Sequence, residues 1–149
     1  MAECSSEQIA ARIEVRGMKP TANRIIVLKA LMGAVRPLSL SDLFEGIGTM
    51  DRSSIFRALS LFLEYDLVHA IDDGSGSLKY ECCKGDGHSV YDMHAHFHCE
   101  VCGCTYCLHD VVVPLAALPP GFMMHSVNYV VKGICDTCRK DGLKQDKDE

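Results

Sequence analysis

At 149 residues the chain is long enough for one mid-sized domain or two small ones, and its 48% apolar content excludes a disordered polypeptide. A formal net charge of −5 argues against a general polyanion binder. No apolar run approaches a membrane span, and the opening MAECSSEQIAARIEV lacks the basic-then-apolar layout of a signal peptide. A cytoplasmic chain with no membrane partner is therefore expected, with its nine cysteines reduced and available to metal.

Residues 7–16, EQIAARIEVR, read as an amphipathic helix stopped at Gly17. In MKPTANRIIVLKALMGA, Thr21 is a good N-cap, and Ile25, Leu28 and Met32 fall on one stripe. Between Arg12 and Arg36 stand six basic residues and a single acid, Glu14, so a local basic face coexists with the overall acidity. After Arg36-Pro37, SLSDLFEGI predicts a short helix capped by Ser39 or Ser41 and ended by Gly48. DRSSIFRALSLFLEYDL predicts a longer one, with Ile55, Leu59, Phe62 and Leu63 buried and Ser53, Phe56, Arg57, Ser60 and Glu64 opposite.

Beyond Asp66 the period changes to two. LVHAI and LKYEC flank DDGSGS as the strands of a hairpin. Helices closed by a hairpin make a winged helix-turn-helix. KGDGHSVYD, about 84–92, reads as a hinge between two domains, 1–83 and 84–149. Strands are expected around His94–His98 and Val127–Gly133, bracketing a Pro-punctuated VVVPLAALPPGF that has room only for a short helix. The tail DGLKQDKDE reads as charged and frayed.

The densest chemistry lies in HAHFHCEVCGCTYC, residues 94–107. Cys99 and Cys102 form one C-x-x-C hook, and Cys135 and Cys138 in GICDTCRK form another. Two such hooks predict a tetrahedral Cys4 structural zinc site. Thiol redox chemistry or plain core cysteine are the alternatives. Against disulfides, C-x-x-C pairs close strained small rings. An enzyme built on CEVCGCTYC as a rubredoxin-like or disulfide-exchange centre would leave the basic helix-turn-helix without a purpose, so no enzyme is expected.

In order and spacing, GMKPTANR, SSIFRAL, HAHFHCEVCG and KGICDTC resemble the ferric uptake regulator (Fur) superfamily, whose patterns are G-x-x-x-T-x-x-R, T-V-Y-R-x-L, H-x-H-x-x-C-x-x-C-G and G-x-C-x-x-C. The resemblance covers nearly the whole chain. It implies an α+β protein: an N-terminal winged helix-turn-helix domain joined to a small C-terminal α/β dimerisation domain. It also implies a homodimeric, metal-responsive repressor of iron or zinc homeostasis genes, bound to a pseudo-palindromic operator in double-stranded DNA. Lys19 and Arg24 match positions contacting backbone or minor groove, although Arg24 also suits a surface salt bridge. Ser54, Phe56 and Arg57 match the DNA-reading helix. Phe56 stands where the family usually has tyrosine, and by the helical wheel alone it could equally pack under the N-terminal helix.

The resemblance further implies a regulatory ion, Fe2+ or Zn2+, at Glu81, His94 and His96. Cys107 stands in place of the family's later carboxylate, and Pro37 in place of its DNA-binding-domain histidine. H-x-H puts both imidazoles on one side of a strand, and sulfur beside imidazole suits zinc while tolerating ferrous or haem iron. Met93, Ala95 and Val127 stand where the family places donors of a further site, with His125 two residues out of register, so that site is not expected. Cys82, Cys83, Cys104, His98 and His109 remain uncommitted, and His88 in the hinge is a substitute for the missing histidine. A haem- or redox-sensing regulator on the same scaffold, with Cys104 and Cys107 as switch thiols, is the alternative function.

Overall fold

A computed structural model describes residues 4–83, 94–125 and 127–145. The hinge reading, with His88 and Met93, lies outside the described residues, as does the end of the tail. The chain divides into two compact units, Met1–Asp92 and Met93–Glu149.

The first unit opens with α1 (Ser6–Val15), where Ser5 and Gln8 form a capping box that satisfies two orphan donors reciprocally. Gly17 follows at φ 85°, a left-handed conformation that costs glycine little. Helix α2 (Ala22–Gly33) starts at its Thr21 cap. Its buried stripe is Val27, Leu28 and Leu31 rather than Ile25, Leu28 and Met32. Ile25 and Met32 flank the core, because the helix is apolar over most of its circumference and periodicity alone did not settle which side faces inward.

A two-residue strand, β1 (Leu38–Ser39), leads into α3 (Leu40–Ile47). Ser39, not Ser41, caps it: the Ser39 hydroxyl accepts from the Asp42 N–H at 3.1 Å, and the Asp42 carboxylate accepts from the Ser39 N–H at 2.9 Å. Ser39→Ala should lower unfolding stability by about 1 kcal/mol, measured by denaturant titration. A mutant as stable as the parent would show that the box contributes nothing. Gly48 ends α3 at φ 70°.

Helix α4 (Arg52–Glu64) buries Ile55, Ala58, Leu59 and Phe62, while Leu63 is only partly covered. Strands β2 (Val68–Ile71) and β3 (Lys79–Cys82) form the hairpin, and β1 adds to its free edge, giving the antiparallel order β1-β3-β2. The connection holds a buried pair that the sequence reading did not foresee. Lys79 Nζ lies 2.8 Å from Asp73, and Asp73 Oδ1 accepts from the Ser75 N–H at 2.9 Å. The Lys79 charge thus ties the wing tip instead of facing solvent. Ile9, Ile13, Leu28, Leu43, Ile55 and Phe62 meet in the core of this unit, so four helices and the hairpin close one winged helix.

The second unit is a three-stranded sheet of order β5-β4-β6. Its central strand, β4 (Ala95–Cys99), pairs antiparallel with β5 (Thr105–Leu108) and parallel with β6 (Val130–Gly133). Being central explains why Ala95, His96, His98 and Cys99 are all buried. Strand β5 was not anticipated, and β6 begins three residues later than Val127.

The described residues between 111 and 125 contain no helix, correcting the short one expected there. Pro114, Pro119 and Pro120 remove backbone donors, and the chain turns instead at Pro119–Phe122. Val112, Leu115, Phe122 and Met123 are left exposed on this segment. Residues 141–145, read as frayed, belong to α5 (Asp136–Gln145). That helix carries Asp136 in its first turn, paired with Arg139 and Lys140 one turn on. Among the described residues no helix is long and apolar enough to cross a membrane.

Candidate metal centres and the outward face of α4

Cys99 ends β4, and Gly103 at φ 74° turns the chain back so that its N–H reaches the Cys99 carbonyl at 2.9 Å. This turn carries Cys102. Cys135 immediately precedes α5, its carbonyl accepting the first helical bond from Arg139, and Cys138 lies in the first turn. The four sulfurs lie within 4.8 Å of one another, Cys102 and Cys135 at 3.9 Å. Zinc–thiolate bonds near 2.3 Å imply tetrahedral sulfur separations of ~3.8 Å, so the cluster fits the ion with little rearrangement.

The backbone prepares the same charge. N–H groups of Cys102 and Cys135 point at Cys99 Sγ and hold its thiol down at about 6 despite burial. The Cys138 N–H likewise lowers Cys135. Cys138, hydrogen-bonded to Cys135, is pushed up to about 12. Cys102 rises as well, so two thiols fall while two rise, because four adjacent sulfurs cannot all ionise without a cation between them.

The second cluster lies on one face of the β4–β5 ladder. Its register pairs His98 with Thr105 and His96 with Cys107. The same spacing continued by one pair sets His94 across from His109, and their rings are 4.4 Å apart. His94 also meets His96 at 4.5 Å. Residues two apart share a face, so His94, His96 and Cys107 fall on the same face of the ladder; the donor atoms of His94, Cys107 and His109 lie within 4.8 Å of one another. His98 Nδ1 lies 3.2 Å from the Thr105 hydroxyl in the buried part of the sheet. That contact accounts for His98 structurally.

Glu81 stands on β3 of the first unit, directly across from His69 on β2. Their side chains meet at 3.0 Å, and the other ring nitrogen of His69 lies 3.6 Å from Cys83 Sγ. His69 is a residue that the sequence reading missed, and His109 is one that it left uncommitted. Pairing VHAI against KYEC in register would have found the first, and continuing the alternation from Cys107 would have found the second. Burial raises Cys83 to about 11 and Cys82 to about 12, so neither is a reactive thiol. Cys104 contributes its backbone N–H to Cys102.

On α4, Phe56 is 54% exposed and Arg57 is exposed beside it. The alternative in which Phe56 packs beneath the N-terminal helix is thereby overturned. Ser54 donates its hydroxyl to the capping Asp51 at 2.7 Å and accepts weakly from Arg57 Nη2 at 3.4 Å. The Ser54 bond holds the Asp51 carboxyl below its usual range. Lys19 is exposed, and Arg24 donates to the Lys19 carbonyl at 2.6 Å.

A winged helix followed by a small sheet unit with a four-thiolate centre defines a metal-binding regulator. The sequence pattern of the Ferric uptake regulator family matches residues 15–114, and the chain belongs to that family. It is a regulator and not an enzyme. Comparison with curated proteins gives no match. Among solved structures, the chain is similar to a zinc uptake regulator complexed with zinc and DNA, at TM-score 0.65 and 19% identity over 93% of this chain and 98% of that one. It is also similar to the Helicobacter pylori ferric uptake regulator, described with three functional metal binding sites, at TM-score 0.63 and 17% identity over 93% and 97%. A third similar structure is the Francisella tularensis ferric uptake regulator with iron, at TM-score 0.56 and 21% identity over 83% and 96%.

Proposed function

We propose that the protein is a homodimeric, metal-responsive repressor that reads a pseudo-palindromic operator in double-stranded DNA. Cys99, Cys102, Cys135 and Cys138 hold a structural zinc, and a second ion, Fe2+ or Zn2+, bound by Glu81, His94, His96 and Cys107, regulates DNA affinity. The observation that carries the reading is the outward face of α4. A helix whose inner side is wholly buried leaves a large aromatic and a guanidinium side by side in solvent. Such a pair suits a groove, with the ring on thymine methyls and the guanidinium on guanine or phosphate. The solved zinc uptake regulator bound to zinc and DNA supports the same use of this fold. Apolar side chains exposed on the second unit, Val112, Phe122 and Met123 among them, support its use as the dimer surface.

Lys19 and Arg24 are assigned to backbone contacts and Ser54, Phe56 and Arg57 to the bases and adjoining phosphates. Arg57→Ala should weaken operator binding by about 1–3 kcal/mol if it meets a base edge. Fluorescence anisotropy with metal-loaded protein would measure this, alongside unchanged zinc content and circular dichroism. Phe56→Ala should relax the preference for T-rich half-sites. Operator affinity unchanged in both variants would remove α4 from the DNA interface.

A further inference from the structure

The geometry points to a thiolate–imidazole metal site formed by His94, Cys107 and His109 within the C-terminal unit alone, suited to a thiophilic cation of the zinc class. It shares His94 and Cys107 with the regulatory set proposed above and puts His109 in place of that set's His96, so the two sites cannot be filled together.

The β4–β5 ladder builds this site by register. Cys107 is the third residue of β5 and His109 the second residue after it, so both side chains fall on one face. Opposite them on that face, His94 precedes β4. One donor atom from each of the three lies within 4.8 Å of the other two. Zinc-class bonds of 2.0–2.3 Å require donor separations of ~3.5 Å, so each side chain needs only a small torsional adjustment. His109 is exposed and has room to make it, whereas Cys107 and His94 are partly buried and fixed by the sheet.

Three protein donors with an open fourth position are what zinc uses where it exchanges ligands, in contrast to the closed Cys4 shell. One sulfur among two nitrogens disfavours hard cations such as Mg2+ and favours the zinc end of the transition series. Because His94 also neighbours His96, its ring is shared between two donor sets. A cation seated on His94, Cys107 and His109 therefore removes one imidazole and the thiolate from the set containing His96. A soft metal in excess becomes an antagonist of whatever ion needs both histidines of H-x-H.

Cobalt titration of the full-length protein, its Cys4 centre first filled with one equivalent of zinc, tests the assignment. Wild-type protein should take up a further equivalent of Co2+ with the near-ultraviolet thiolate-to-cobalt charge-transfer band. C107S should lose that band. H109A should weaken cobalt by more than the roughly tenfold to hundredfold that loss of an outer-sphere partner costs. H96A removes a donor of the regulatory set only and should keep the band, because His94, Cys107 and His109 still hold the cobalt. Circular dichroism establishes that each variant folds, and the exposed position of His109 makes H109A the decisive one. If H109A binds like wild type while H96A loses the band, Cys107 serves only the regulatory set with His96 and the proposal is overturned. Operator affinity, measured separately, reports on regulation, so a failed repressor reading leaves this test intact.

Discussion

Replacing Cys135 with serine should strip one zinc per subunit and unfold the C-terminal unit. Cys135 takes part in every layer of that centre. Its sulfur lies 3.9 Å from Cys102, its N–H donates to Cys99 Sγ at 3.3 Å, and its carbonyl receives the first hydrogen bond of α5. Among its described residues the unit has a three-stranded sheet and one helix beyond the centre. An area of that size does not close a hydrophobic core by itself. Zinc binding, on the order of 10 kcal/mol in small sites, is there the folding free energy. Serine offers only a weak oxygen ligand in place of a thiolate, and a loss of this order is comparable to the whole stability of a typical domain. Since zinc needs ionised thiols, affinity must fall as pH falls, and acid should release the metal from the parent protein as well. The first unit has its own core around Leu28, Ile55 and Phe62 and should keep its helical signal. Elemental analysis, light scattering and circular dichroism decide the matter together. A variant that retains zinc and its dimer mass would show that the hooks do not hold the metal.

The readable parts of this chain were those where one residue decides a local event. Thr21, Ser39 and Gly48 each settle a helix end through a hydrogen bond or a backbone angle, and each does so in the structure. The buried side of α4 followed from apolar spacing because its other side is polar. Helix α2 is apolar nearly all round, and its inner side was misread for that reason. Helix α5 carries no apolar stripe in its sequence: its described side chains, residues 136–142, are exposed or only partly covered, and Asp136 pairs with Arg139 and Lys140. Strand β5 was hidden in a stretch whose cysteines drew attention to ligation rather than alternation.

The donors followed the same division. H-x-H and the hooks are local patterns and were legible. His69 across from Glu81 and His109 across from His94 are products of register, as is the buried Lys79–Asp73 pair. Strand pairing creates these neighbours, and no short window of sequence contains them.

His94→Ala combined with His96→Ala should leave a folded, zinc-stapled dimer whose operator affinity no longer responds to added metal. Both imidazoles lie on one face of β4, away from the Cys4 turn, so truncation spares the staple. In the proposed switch the ion takes these nitrogens, Cys107 and the Glu81 carboxylate of the winged helix. Glu81 lies 3.0 Å from His69, and ligation through its carboxylate must compete with that contact. A ligand shifts an equilibrium only by its differential affinity for the two states. A preference of about 3 kcal/mol for the DNA-competent orientation corresponds to a gain in operator affinity of roughly a hundredfold. Removing two of four ligands abolishes that gain without touching Phe56 or Arg57, so basal binding should persist. Glu81→Ala should reproduce the loss from the other unit, and His69→Ala should instead sharpen the metal response by releasing Glu81 from its competitor. Anisotropy titrations with Fe2+ under anaerobic conditions and with Zn2+ in air, on the four proteins side by side, would measure all of these shifts. If the double-histidine variant still tightens on DNA when metal is added, the sensing ion sits on other donors, and the Glu81–His69 pair is then a purely structural clasp of the wing.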